Sequence, residues 1–115
     1  CVKLHQEITQ TVAGGVKVRY LGFPRSGVGS PSFKTLVSVW CSDNPQQAMT
    51  DAKMGIAIET RTCQTQIGRH IEAAELVGVR GTPTIVLEDG TVIPGYVPAD
   101  ELVEMSNRAA ESVVN

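Results

Sequence analysis

The feature that most constrains this chain is a pair of β-branched segments separated by a turn dipeptide. Residues 84–88 and 91–93 are rich in Thr, Ile and Val, and Asp89-Gly90 lies between them. Asp-Gly between two such runs is typical of the two-residue turn of a β-hairpin. Pro94 cannot donate a backbone hydrogen bond to a sheet, so the second run belongs at a sheet edge or a strand end. The sequence therefore predicts an antiparallel hairpin.

Five other segments have the apolar spacing and terminal signals of amphipathic helices. Two of them begin with a capping residue followed by proline, at Ser30-Pro31 and at Asn44-Pro45. The predicted helices cover residues 2–13, 31–40, 45–54, 63–77 and 98–113, and glycines follow the first, third and fourth of them. The residues expected on their buried sides are Leu4, Ile8 and Val12 in the first, Cys63, Ile67, Ile71, Ala74 and Val77 in the fourth, and Leu102, Met105, Ala109 and Val113 in the last.

Between the first two helices, residues 16–20 alternate apolar and polar, which predicts a strand that continues to Phe23 and ends at Pro24. Residues 24–30 have the composition of a loop. The predicted order is helix, strand, helices, hairpin, helix in one α/β domain. This order resembles the thioredoxin fold without its opening strand. A strand before Cys1 would complete the fold, so we expect the chain to lie inside a longer one.

Composition excludes two classes of function. The chain has 10 Lys and Arg against 12 Asp and Glu, a net charge of -2, and only 4% aromatic residues. Nucleic-acid binding needs clustered basic charge or a platform of aromatic rings, and neither is present. The longest uncharged apolar run, residues 36–41, is too short to cross a bilayer. We expect no nucleic-acid partner and no membrane insertion.

Cys1 is a candidate redox residue. A cysteine in the first turn of a helix has its thiolate favoured by the positive end of the helix dipole and by the backbone N–H groups there. An alternative is a terminal residue with no chemical role. Another is the mature N-terminus of a lipoprotein, although the helical pattern that follows immediately leaves no flexible tether.

Cys41 and Cys63 permit more than one interpretation. A disulfide between them would close a loop of about 23 residues and stabilise the domain by roughly 3.4 kcal/mol in the chain-entropy model. Two separate buried thiols fit the spacing equally well. A zinc site formed with His70 lacks the short Cys-x-x-Cys spacing of such sites. His5 and His70 have no ligand or carboxylate partner at a suitable spacing, so we interpret both as rim residues.

Thr82-Pro83 lies between a predicted helix end and a predicted strand start. A proline that opens a strand is ordinary. A cis bond would instead turn the Thr82 backbone toward the helix that carries Cys1, where it could pair with an extended peptide. The local sequence leaves both possibilities open.

The chain contains no nucleotide-binding, metalloprotease or nucleophile-elbow motif, and we expect no cofactor and no metal.

Taken together, several of these segments resemble bacterial periplasmic thiol:disulfide isomerases of the DsbC/DsbG type. The resemblance covers essentially the whole chain, and its motifs occur in the order of the family. They are residues 1–5 (CVKLH), 18–25 (VRYLGFPR), Trp40-Cys41, Cys63, 78–84 (GVRGTPT) and 90–96 (GTVIPGY).

The resemblance implies a role for each candidate residue. Cys1 matches the second, resolving cysteine of the family's Cys-x-x-Cys motif, and the nucleophilic cysteine would lie three positions before it. Cys41 and Cys63 match the family's structural disulfide, and Thr82-Pro83 matches its substrate-binding cis-proline loop. Val2 departs from the family pattern, because some relatives have His there.

The resemblance also implies the context of the chain. It would be the catalytic thioredoxin-like domain, with a helical insertion, of a periplasmic homodimer. Residues 1–115 would lack the N-terminal dimerisation domain, the linker and the first strand. The substrates would be misfolded or misoxidised proteins, and an inner-membrane thiol reductant would keep the active site reduced. The enzyme would be a protein disulfide isomerase, or an oxidase or reductase with similar motifs. The alternative from another class is a thioredoxin-fold peptide-binding or chaperone module without redox turnover.

Overall fold

The structure, a computed structural model, describes residues 1–24 and 26–114. Arg25, which belongs to the predicted loop and to one family motif, lies outside the described residues. The chain divides into two compact units, residues 1–19 with 80–115, and residues 20–79. The elements are α1 (Val2–Gln6), α2 (Ile8–Ala13), α3 (Pro31–Trp40), α4 (Pro45–Lys53), α5 (Ile67–Val77), β1 (Thr84–Val86), β2 (Val92–Pro94) and α6 (Ala99–Val114).

The first predicted helix is interrupted. Glu7 separates α1 from α2 with φ −101° and ψ 8°, so the chain turns there instead of continuing one straight helix. Thr11 is 1% exposed, whereas Val12 is 53% exposed, so the expectation that Val12 is buried is wrong. Because of the break, Thr11 and not Val12 lies on the buried side of α2. The Thr11 hydroxyl is satisfied because it donates to the Glu7 carbonyl at 3.3 Å.

Helix α6 supplies much of the buried surface of the first unit. Leu102 and Ala109 are buried, as their spacing predicts. At Gly14, just after α2, a Cβ atom would approach Val103 Cγ2 to 2.6 Å, so the two helices pack at a distance that only glycine allows. Val113 is exposed, contrary to expectation. With 6 residues against 16, α2 is too short to cover the whole length of α6.

The predicted hairpin is present, but its turn differs from the two-residue form. Leu87 N–H donates to the Thr91 carbonyl and Gly90 N–H to the Leu87 carbonyl, both at 2.9 Å. Gly90 has φ +91°, and among the described residues only glycines have a positive φ. Asp89 therefore cannot be the first central residue of a type I′ or II′ turn, because that position needs a positive φ. Asp89 lies in the turn and Gly90 follows it in the left-handed conformation. The paired residues are Thr84 with Pro94, Ile85 with Ile93 and Val86 with Val92.

The predicted strand over residues 16–23 does not form. Val16 and Val18 are half-buried and alternate with exposed Lys17 and Arg19, so the pattern reports burial correctly. In the part of the chain that the structure describes, however, the sheet consists of β1 and β2 alone. Alternating burial makes a strand only when a neighbouring strand completes the hydrogen-bond ladder.

The second unit contains α3, α4 and α5, and a small core lies between α3 and α4. Both predicted proline starts are confirmed. Ser30 Oγ accepts from the Phe33 N–H and Asn44 Oδ1 accepts from the Gln47 N–H, each at 3.2 Å. The core residues Val39, Ala48 and Met49 pack against Tyr20, Leu36, Trp40, Ala52 and Ile58.

Helix α5 begins at Ile67, not at Cys63 as predicted. The segment before it is held in another way. Ser38 Oγ, on α3, accepts from the Arg61 N–H at 3.1 Å, so this part of the backbone bonds to α3 and not within a helix. Ile67 is fully buried, and Gly78 ends the helix with φ +78°, both as predicted. Val77, expected to be buried, is exposed in the last turn.

Candidate redox site

Cys1 lies directly before α1, and its side chain is exposed. Its carbonyl accepts a hydrogen bond from the His5 N–H at 2.9 Å, which closes the first turn of the helix. The thiol forms no disulfide with Cys41 or Cys63. The chain therefore presents one accessible sulfur at a helix start, the position at which a thiolate is favoured.

A polar network joins residues shortly after Cys1 in the sequence to residues that follow β2. The Tyr96 hydroxyl lies 2.7 Å from both carboxylate oxygens of Glu7. Glu7 Oε1 also accepts from the Ala99 N–H, the first residue of α6, at 3.0 Å. The Lys3 ammonium lies 4.8 Å from the centre of the Tyr96 ring, within the range of a cation–π interaction. These contacts connect the helices after Cys1 to the segment between β2 and α6.

The network changes the acidity of Tyr96. The hydrogen bond to Glu7, assisted by burial and by the negative charge of Glu7, raises the pKa of Tyr96 to about 12. The folded state thus holds this proton more tightly than the unfolded state, where the pKa is about 10. The stabilising contribution is complete below pH ~10 and is lost as the pH rises through the folded value.

We expect Glu7→Gln to lower the Tyr96 pKa toward its ordinary value, because the charged acceptor is removed. Tyrosinate absorbance during an alkaline titration measures it, in a Tyr20→Phe background that leaves one tyrosine. Burial also raises the pKa of Tyr20, so removing it isolates the signal. Equal midpoints with and without Glu7→Gln would show that the hydrogen bond does not control the ionisation.

The Thr82–Pro83 peptide bond is cis and lies in the same compact unit as Cys1. Both residues are half-buried, between the end of α5 and the start of β1. The Thr84 hydroxyl donates to the Gly81 carbonyl at 2.7 Å and so closes the loop around the proline. The local sequence left both a cis and a trans bond open, and the structure has the cis bond that the family resemblance implies.

Cys41 and Cys63 are joined by a disulfide with a Cα–Cα distance of 5.8 Å. Of the interpretations that the spacing left open, two separate thiols and a zinc site are therefore both wrong, since zinc binds thiolates and not a disulfide. Two further contacts hold the same segments together. Arg61 forms a two-pronged ion pair with Asp43, at 3.0 and 3.3 Å, and Ser38 bonds the Arg61 backbone.

His70 has a role inside the second unit. Its Nδ1 accepts a hydrogen bond from the N–H of buried Gly22 at 3.0 Å, and its ring packs edge-on against Trp40 at 5.9 Å. His70 is half-buried, as a rim residue is, and its Nδ1 also satisfies a buried backbone donor. His5 is half-buried on α1.

Sequence reasoning missed Glu7 and Tyr96. The two residues are 89 positions apart, so no periodicity connects them. In the sequence, Tyr96 stands at the end of a family motif and Glu7 within a helical segment, and neither position predicts a polar contact. A carboxylate at a helix break indicates a polar partner elsewhere in the chain, but the break at Glu7 is seen only in the structure.

The fold and these residues define a class of protein. The pattern of the thioredoxin-like domain family matches residues 1–110, and the chain belongs to this family. The predicted thioredoxin-like α/β fold is thereby confirmed. None of the helices among the described residues is long and apolar enough to cross a membrane.

Within this class, the chain is similar to proteins named thiol:disulfide interchange protein DsbC. It is 44% identical over 105 residues to the one from Dickeya dadantii, covering 91% of this chain and 44% of the relative. It is 38% identical over 104 residues to the one from Escherichia coli K12, covering 90% of this chain and 44% of the relative. The predicted resemblance is confirmed, and the chain spans less than half the length of these relatives.

A solved structure shows the same fold. The crystal structure of a disulfide interchange protein from Neisseria gonorrhoeae superposes with a TM-score of 0.72 at 21% identity. The match covers 95% of this chain and 78% of that protein. At this identity the likeness shows the fold alone.

Proposed function

We propose that this chain is the catalytic thioredoxin-like domain of a protein disulfide isomerase. The observation that carries the proposal is the position of Cys1: an exposed thiol at the start of a helix, in the same unit as a cis-proline loop, in a chain similar to thiol:disulfide interchange proteins. This similarity favours redox turnover over a binding module. Cys1 is then the second cysteine of a Cys-x-x-Cys pair.

The proposed chemistry is thiol–disulfide exchange. The thiolate three positions before Cys1 attacks one sulfur of a substrate disulfide, the substrate S–S bond breaks, and its other sulfur leaves as a thiolate. A substrate thiolate can then attack the mixed disulfide and release the enzyme with the substrate disulfide rearranged. Otherwise the Cys1 thiolate attacks the enzyme sulfur, releases a reduced substrate and leaves an enzyme disulfide for an external dithiol to reduce.

The other candidate residues have corresponding proposed roles. The Thr82 backbone, beside cis Pro83, would pair with an extended segment of the substrate and align its disulfide with the active site. The Cys41–Cys63 disulfide would be structural. The proposed setting is the periplasm, where the whole protein would act on misoxidised proteins as a homodimer through an N-terminal domain, with an inner-membrane thiol donor as reductant.

The resolving role of Cys1 predicts trapping of a reaction intermediate. In the intact protein, Cys1→Ser removes the sulfur that releases the attacked substrate, so a mixed disulfide with a misoxidised substrate should accumulate severalfold above the wild type. Non-reducing electrophoresis after acid quenching measures it. The matched control is the Cys41→Ser/Cys63→Ser double variant, which should not accumulate the adduct. Equal adduct levels in the Cys1→Ser variant and the wild type would contradict the role.

A further inference from the structure

We propose that Glu7 and Tyr96 are positioning residues for the Cys1 thiol. The inference rests on the proposed function, because it concerns how the same site is held. Glu7 uses both carboxylate oxygens on donors from one segment, the Tyr96 hydroxyl at 2.7 Å and the Ala99 N–H at 3.0 Å. This segment leads out of the hairpin that follows the cis-proline loop. The carboxylate therefore ties the Cys1 end of the chain to it.

Helix α1 needs such a tie because it cannot hold itself. It has five residues, none of them buried, and a helix of this length is unstable in water on its own. The orientation of the first turn must come from contacts to other elements, and Glu7 supplies one directly at the C-terminal end of α1.

Tyr96 provides a second tie, to a residue in the first turn of α1. Its ring carries the Lys3 ammonium at 4.8 Å from the ring centre, and Lys3 is two residues after Cys1. A cation held near a cysteine favours its thiolate. The Glu7 hydrogen bond fixes the hydroxyl end of Tyr96, so the same residue orients the ring on which Lys3 rests. Loss of the hydroxyl bond would release both the helix turn and the cation.

The test uses the 115-residue chain with the Cys41–Cys63 disulfide intact, in which Cys1 is the one thiol that reacts. The rate of alkylation by iodoacetamide is measured against pH, with a peptide of residues 1–6 as the unstructured reference. We expect the wild type to react faster than the peptide at neutral pH. Tyr96→Phe and Glu7→Ala should each lose roughly threefold in this rate and move the profile midpoint toward that of the peptide.

Two further variants separate positioning from charge and from general stability. Glu7→Gln keeps an acceptor for the Ala99 N–H and a partner for the Tyr96 hydroxyl, so it should retain the wild-type profile. Tyr20→Phe removes the other tyrosine hydroxyl and should also leave the profile unchanged. The Glu7→Ala/Tyr96→Phe double variant should lose no more than Glu7→Ala alone, because the bond that Tyr96→Phe breaks is already broken by Glu7→Ala.

An unchanged profile in Tyr96→Phe, in a protein that circular dichroism shows to be folded, would overturn the proposal. A loss in Glu7→Gln equal to that in Glu7→Ala would also overturn it, since charge and not position would then be responsible. If Glu7→Ala does not fold, Tyr96→Phe decides alone. The assay needs no catalytic turnover, so a failure of the proposed isomerase function would leave these profiles intact.

Discussion

The 115-residue chain by itself will not catalyse disulfide rearrangement in a misoxidised protein. Once Cys41 and Cys63 are bonded to each other, Cys1 is its one remaining thiol. In the proposed mechanism the attacking thiolate lies three positions before Cys1, and without it Cys1 should exchange with substrate disulfides only as a simple thiol does. The recovery of activity by a scrambled substrate enzyme, with the chain present at catalytic amounts, should match that with an equal concentration of a simple thiol.

A gain of function provides the matching experiment. A Cys-Gly-Ala extension placed directly before Cys1 creates a Cys-x-x-Cys pair, and the rate should rise at least roughly tenfold above the unextended chain. A Ser-Gly-Ala extension is the control for added length. Rapid catalysis by the unextended chain, or no gain with the extended one, would show that Cys1 is not the second cysteine of such a pair.

Removing the Cys41–Cys63 disulfide should have the largest effect on stability. The bonded residues are 22 positions apart. In the chain-entropy model, opening a loop of this size costs roughly 3.4 kcal/mol, because the unfolded chain regains conformational freedom. The Cys41→Ser/Cys63→Ser variant should therefore unfold about 10 °C or more below the wild type, measured by thermal denaturation.

The second unit also retains contacts that do not need the disulfide. The Arg61–Asp43 ion pair and the bond from Ser38 to the Arg61 backbone connect the same segments. We therefore expect the double variant to fold at low temperature, and Cys1 alkylation there should match the wild type. An unchanged melting temperature, or loss of Cys1 reactivity in a folded variant, would contradict a purely structural role for this disulfide.

Features that depend on neighbouring residues were predictable from the sequence. The helix starts at Ser30-Pro31 and Asn44-Pro45 and the helix end at Gly78 were correct, because capping chemistry acts within a few residues. The hairpin was placed correctly for the same reason. Its turn was wrong because Asp-Gly is compatible with two turn types, and only the hydrogen bonds between the strands distinguish them.

Features that depend on distant contacts were not predictable. The break at Glu7 accompanies contacts with Tyr96 and Ala99, about 90 positions away. Helix α5 starts after Cys63, which is bonded to Cys41 on the far side of a 22-residue separation, a pairing that no spacing rule anticipates. The pairing of Cys41 with Cys63 was undecided from spacing, and only the family resemblance favoured it. The candidate site was thus predicted by its cysteines and proline, and not by the residues that hold them.

The most direct test of the central claim is disulfide mapping of the intact protein after mild oxidation. Digestion without reduction, followed by mass spectrometry, identifies the sulfur bonded to Cys1. Our account predicts a peptide in which Cys1 is bonded to a cysteine three positions before it, together with a separate Cys41–Cys63 peptide. A bond from Cys1 to either of those two cysteines, or a Cys1 thiol that stays reduced with no cysteine at that position, would contradict it.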